Sequence, residues 1–149
     1  MLKGISPLIP PDLLKILAEM GHGDEIVIGD GNFPASSVGN RVVRCDGIGA
    51  PALLDAILAL FPLDTYVDAP TAVMAVVPGD PIGDNPPIWN EYRAILDRRA
   101  PGTKIEQVER FAYYERGKKA YAVVQSGESA LYANIILKKG VVAPQAGGV

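Results

Sequence analysis

The strongest constraint on this chain is that its apolar residues come in short unbroken runs, set between segments with helical periodicity. Glu25 to Ile28, Tyr121 to Gln125 and Leu131 to Leu137 are such runs, too short for independent helices and rich in Val and Ile. A strand with one wet face alternates apolar and polar residues, whereas a strand covered on both faces reads as a continuous apolar run. Further strands are expected over 41–44, 65–67, 71–77 and 104–108. Between them, Pro10-Pro11-Asp12 opens a helix whose Leu13, Leu14, Leu17 and Met20 share one face and which Gly21 ends, because proline suits a first helical turn and glycine a helix end. Pro51 to Phe61 carries a wide apolar stripe, Ile88 to Arg99 reads as a third helix, and 111–119 suits one or two helical turns. The stretch 78–87, with four prolines and two glycines, reads as a loop and not as a domain boundary. Helices alternating with buried strands give an α/β fold: a layered single domain with a mostly buried mixed sheet flanked by helices.

Composition then removes function classes. A chain of 149 residues has room for one domain, and no long internal repeat divides it. A net charge of −3 without a basic stripe argues against a nucleic-acid partner. One cysteine, Cys45, cannot close an internal disulfide, and with a single histidine, His22, it cannot complete a zinc site. There is no EF-hand loop, GxGxxG or Walker motif, so neither a metal nor a nucleotide cofactor is expected. No apolar run approaches the ~20 residues of a membrane span, and prolines at 7, 10 and 11 interrupt what a signal peptide would need. The expectation is a cytoplasmic protein with a frayed tail over 143–149.

Few residues remain to carry chemistry. His22 lies between glycines and ahead of Asp24 and Glu25, which leaves space beside the ring and acids to tune it; a solvated turn histidine is an equal reading. Asp30 leaves a buried strand for a loop, the place where open α/β sheets put ligand-binding groups, although Asp-Gly-Asn also suits a self-capped turn. Asp46-Gly47 reads as turn chemistry first, and Asp64 either caps a turn or points into a site. Arg110-Phe111-Ala112-Tyr113-Tyr114-Glu115-Arg116 mixes aromatics and guanidinium forks, a combination that stacks on sugar faces and holds hydroxyls. Strand alternation would set Tyr132 and Asn134 on one face, and a buried asparagine needs partners. Cys45 and Trp89 read as packing residues.

These strings, taken in order, resemble one family. Ile16-Leu17-Ala18-Glu19-Met20-Gly21-His22-Gly23-Asp24-Glu25-Ile26, then Asp30 with Phe33-Pro34, Arg44 with Asp46-Gly47, Glu109-Arg110-Phe111 with Tyr114-Glu115-Arg116, and Gly127-Glu128 with Tyr132 and Asn134-Ile135-Ile136-Leu137 are similar to the fucose mutarotase and ribose pyranase family. The resemblance spans about residues 2–142 and favours the fucose branch, since the ribose branch usually has another histidine in its second half and this chain has none after His22. It implies a ribose pyranase-like fold over 1–142 and a cofactor-free isomerase that interconverts α and β anomers of a free monosaccharide, L-fucose first. It also implies a ring-based homo-oligomer, often a decamer, with sites near subunit contacts. By motif position it makes His22 the acid/base and Tyr114 its partner in proton transfer. Asp30, Arg110, Tyr132 and Asn134 would hold the sugar, with Asp64 added through Leu63-Asp64-Thr65-Tyr66. The chemistry suits these residues: mutarotation takes the O1 proton and protonates the ring oxygen, and each positioned proton-transfer group contributes ~10²–10⁴-fold. Ribose pyranase-type pyranose/furanose interconversion and a non-catalytic monosaccharide-binding module stay open as alternatives, as does the choice between Tyr113 and Tyr114.

Overall fold

The short apolar runs form strands covered on both sides, the third of them only from Ile135. The computed structural model describes residues 1–144. In chain order the elements are α1 (Pro11–Glu19), β1 (Glu25–Gly29), α2 (Ala35–Val38), β2 (Val42–Cys45), α3 (Ala50–Leu58), β3 (Thr71–Met74), α4 (Ile88–Arg99), β4 (Ile105–Val108), α5 (Arg110–Lys119), β5 (Ala122–Ser126) and β6 (Ile135–Lys138). The strands form one sheet in the order β2-β5-β1-β6-β3-β4. Ile26 and Ile28 of β1, Val124 of β5 and Ile135 and Leu137 of β6 face one core, which α1, α3 and α4 complete. Val27, Val123 and Ile136, the residues between them, face a second core with Phe33, Val38 and Tyr113 under α2 and α5. The period-2 alternation therefore survives, but both of its phases are apolar because helices lie on both faces.

The pairing directions decide where function can sit. β1 runs parallel to β5, β2 to β5, and β3 to β4, while β6 is antiparallel to both β1 and β3. Five strands thus share one direction and β6 alone is reversed. The C-terminal ends of β1 to β5 and the N-terminal end of β6 meet along one edge of the sheet, the edge at which α/β folds gather ligand-binding groups.

Several local expectations change. Residues 65–67 form no strand: the Tyr66 N–H bonds Asp64 Oδ1 at 3.0 Å, which turns the chain. β3 ends at Met74 and α3 at Leu58, short of the expected 77 and 61. α5 is a full ten-residue helix, started by the Glu109 carboxylate, which accepts from the Phe111 and Ala112 N–H groups at 2.9 and 3.1 Å, and ended by Arg116, Lys118 and Lys119, favourable against the helix dipole. α2 was not expected at all. β6 begins only at Ile135, so Tyr132 and Asn134 lie on the approach to the strand, and the alternation argument that paired them does not apply. The expected tail lies, from residue 145 on, outside the described residues. Among the described residues no helix is long and apolar enough to cross a membrane.

Candidate active site

A cavity of about 240 Å³ opens at the shared edge, lined by Asp30, Arg110, Tyr114, Tyr132 and Asn134 on its polar side. Phe33, Met74, Val77 and Leu131 add an apolar wall. The volume is below the ~300–1,000 Å³ of pockets for drug-sized ligands, so a single small ring is the natural occupant. Five of the seven expected site residues are brought together here from four stretches of chain: the end of β1, the start of α5, its second turn, and the approach to β6.

Backbone constraints hold these side chains in place. Gly29 ends β1 because a Cβ there would lie 2.7 Å from Cβ of Phe33, so only glycine lets Phe33 fold back over the strand end. Phe33 then packs beside Tyr114, ring centroids 5.9 Å apart. The next residue, Asp30, is 5 % exposed. Its N–H donates to Asn134 Oδ1 at 2.8 Å, and its carbonyl accepts from Gln125 Nε2 at 2.6 Å. That bond satisfies the buried asparagine oxygen and leaves the Nδ2 hydrogens without a protein partner among the described residues. The Asp30 carboxylate accepts the Asn32 N–H at 2.9 Å, yet burial still pushes its carboxyl above the usual aspartate value. Burial separates the two neighbouring tyrosines. Tyr113 points inward, fully buried, with a hydroxyl that has no partner, while its neighbour Tyr114 lines the cavity.

The other two expected residues lie elsewhere. His22 precedes β1 and Asp64 pairs with the end of β6 through its N–H to the Lys138 carbonyl at 3.0 Å, so both sit at the opposite edge of the sheet. β1 alone separates the two edges by roughly 13 Å at ~3.3 Å per residue. His22 Nε2 is 3.1 Å from Asp64 Oδ1, and the imidazole lies against the Tyr66 ring, centroids 5.4 Å apart. The Tyr66 N–H first, and His22 after it, hold the Asp64 carboxyl below the usual range. An ionised Asp64 only accepts, so Nε2 is the donor in this pair, which leaves Nδ1 as the position of the lone pair in the neutral ring. The acids that follow His22 are not its partners: Asp24 Oδ2 accepts the Gly21 N–H at 2.7 Å, and Glu25 binds Arg116 at 2.8 Å and Lys138 at 3.3 Å. The imidazole side chain is 45 % exposed, whereas the Asp64 side chain is 5 % exposed.

A larger groove of about 680 Å³ lies beside this histidine, lined by Glu25, Glu106, Arg116 and Lys138. These four charges are mutually paired, and Asp24, Asp68 and Lys119 also line the groove. Among the described residues no group of three or more His, Cys, Asp or Glu could hold a metal ion. Cys45 is buried and free. Met74, Val77, Leu131 and Asp80 join the site unannounced by sequence reasoning; the only signal for Asp80 was its place between Gly79 and Pro81 in the proline-rich loop.

With this geometry in view, residues 3–142 match the model of the RbsD / FucU transport protein family. The chain belongs to that family. It is 55 % identical over 146 residues to the human protein named fucose mutarotase, covering 95 % of each chain. Among solved structures, the fucose mutarotase of Streptococcus pneumoniae in complex with L-fucose superposes with a TM-score of 0.89 at 54 % identity, covering 95 % of this chain and 100 % of that one. Bacillus subtilis RbsD complexed with D-ribose superposes with a TM-score of 0.70 at 23 % identity, over 96 % of this chain and 100 % of that one, a likeness of fold. The mixed sheet with its single reversed strand is thus the fold of the RbsD / FucU family.

Proposed function

We propose that this protein is a monosaccharide mutarotase, an isomerase whose first substrate is L-fucose. One observation carries the reading most: the five expected hydrogen-bonding side chains converge with an apolar wall on a cavity sized for one sugar ring, in a chain 54 % identical to a fucose mutarotase solved with L-fucose. Asp30 would accept from ring hydroxyls, Arg110 and the Asn134 amide would donate, and Phe33, Met74, Val77 and Leu131 would cover the C–H faces. In the reaction a base removes the O1 proton, the C1–O5 bond breaks, and O5 takes a proton, leaving the open-chain aldehyde. Rotation about C1–C2 and the reverse steps close the ring on its other face. These transfers move protons between oxygens, which an imidazole and a phenol can perform.

The two edges of one chain cannot serve one sugar, so we infer that His22 of one copy closes the cavity of another. His22 and Tyr66 stand exposed at one edge, and Phe111, Val77 and Leu131 form an exposed apolar rim at the other. Head-to-tail contact between unlike faces closes into a ring where its rotation returns to the start, which suits a ring-based homo-oligomer, with a decamer as the first candidate. In that assembly Nδ1 of His22 exchanges the proton with one sugar oxygen, Asp64 holds the imidazole, and Tyr114 serves the second oxygen. The buried unpaired Cys45 suits a reducing, cytoplasmic setting.

The test is NMR exchange spectroscopy on an equilibrium mixture of L-fucose anomers. Exchange cross-peaks with the wild type that vanish with His22→Ala support activity and catalyst together. Exchange on ribose but not fucose would move the substrate toward pyranose/furanose chemistry. Sugar binding without exchange would leave a non-catalytic binding module.

A further inference from the structure

We propose that Asp80 is a positioning residue that fixes Tyr132 as a hydrogen-bond acceptor for one hydroxyl of the bound sugar. This rests on the mutarotase reading for the identity of the ligand; the side-chain geometry stands apart from it. Tyr132 is the only non-glycine residue among those described with a positive φ, 57°. In that left-handed region a side chain crowds its own backbone, so the conformation persists only where surroundings enforce it. They do so here on three sides. Trp89 Nε1 donates to the Tyr132 carbonyl at 2.8 Å, and the Tyr92 hydroxyl donates to the next carbonyl, that of Ala133, at 2.6 Å. The Tyr132 hydroxyl donates to Asp80 Oδ2 at 2.7 Å.

That last bond decides what Tyr132 can offer a ligand. A phenol has one proton, and it is donated to Asp80. The Val77 N–H approaches the same oxygen at 3.3 Å, which leaves acceptor capacity alone for the cavity. A hydroxyl can meet it; a carbonyl, carboxylate or phosphate oxygen cannot. Acceptance by Asp80 raises the Tyr132 phenol above its ordinary value, while the Ile82 N–H first and Tyr132 next lower the Asp80 carboxyl. Tyr132 therefore reads the sugar and keeps its own proton.

The loop after β3 is built to deliver this carboxylate. Pro78 and Gly79, with Gly79 at φ 85°, make one turn closed by the Asp80 N–H on the Val77 carbonyl at 3.1 Å. Pro81 and Ile82 make the next, closed by the Gly83 N–H on the Asp80 carbonyl at 3.2 Å. Proline followed by a positive-φ glycine, and Asp-Pro-x-Gly, are the residue patterns of type II and type I turns. Asp80 is the shared corner of both, and its Oδ1 accepts the Ile82 N–H at 3.0 Å. The segment that reads as a plain loop in sequence thus holds one oxygen in place against the sugar pocket.

A double-mutant cycle tests this, with anomer exchange of L-fucose followed by NMR over a concentration series. Asp80→Ala should raise KM about tenfold with kcat within about twofold, the loss of one hydrogen bond to a charged partner. Asp80→Ala combined with Tyr132→Phe should be no worse than Tyr132→Phe alone. Asp80→Asn, which retains an acceptor oxygen, should recover most of the loss, and it supplies the cycle if Asp80→Ala does not fold. Additive effects of the two substitutions, or a fall in kcat with KM unchanged, would overturn the proposal. If the wild type exchanges no monosaccharide, the mutarotase reading fails and Asp80 is judged without sugar, by the ¹³Cζ resonance of Tyr132. A shift of that resonance on removing the Asp80 carboxylate supports the contact, and an unchanged resonance refutes it.

Discussion

The two edges of the sheet are furnished in opposite ways. At the edge where β1 ends, Asp30, Asn134, Gln125 and Ser126 are all buried and bonded to backbone, and the groups that face the cavity are fixed by them. At the edge where β1 begins, one half-exposed imidazole stands on a single buried carboxylate beside an exposed tyrosine. The first edge gathers fixed polar side chains around a cavity; the second holds one imidazole on a carboxylate. On the proposed reading the sugar grip, with Tyr114, stands at one end of β1 and the imidazole at the other.

If that division holds, substitutions at the two edges should fail differently. The largest effect is expected from His22→Ala, which should slow anomer exchange by ~10²–10⁴-fold while L-fucose affinity and melting temperature stay close to wild type. Isothermal titration beside exchange NMR checks this, and a large affinity loss would break the comparison. Asp30→Asn should do the reverse, weakening affinity by ~10–100-fold through loss of charged hydrogen bonds while raising the melting temperature at neutral pH. The sign follows from burial. The Asp30 carboxyl is raised in the folded protein, so its contribution to stability is present below the ordinary aspartate value and is lost as pH rises through the raised one. At neutral pH the ionised form is a cost that the amide removes. Sugar affinity should correspondingly weaken on the acid side, beginning above the ordinary aspartate range. Asp64→Asn is expected to be milder, roughly tenfold in exchange rate, because it loosens the imidazole tautomer and orientation and leaves the base in place. A drop equal to that of His22→Ala would make Asp64 more than an orienting group.

Much of the frame was legible because it is local. The apolar runs at 25–28 and 121–125 and the helices at 11–19 and 88–99 lie where period and end signals put them. Asp30 was legible for the same reason, as the first polar residue after a buried strand. What escaped depends on long-range pairing. Nothing local in Ile135 to Lys138 says that β6 runs against its neighbours, and that reversal is what brings Tyr132 and Asn134 to the edge where β1 ends. The left-handed Tyr132 is imposed by Trp89 and Asp80, distant in sequence. α2 is four residues long, too short for periodicity to register. His22 was singled out, but its partner Asp64 is 42 residues away, and the acids beside it had suggested a different environment.

The central claim, that one copy grips the sugar while another supplies the base, has a direct test in mixed oligomers. His22→Ala and Asp30→Ala chains, each strongly impaired alone at sub-saturating L-fucose, would be co-expressed with different tags, and the doubly tagged assembly isolated and assayed at that concentration. Sites shared between copies then recover about a quarter of the wild-type exchange rate per chain, since random head-to-tail pairing joins two intact halves at that frequency. Mixed assemblies as impaired as the parents at the same sugar concentration would show that His22 and Asp30 must belong to the same chain, and the division of labour between the two edges would be wrong.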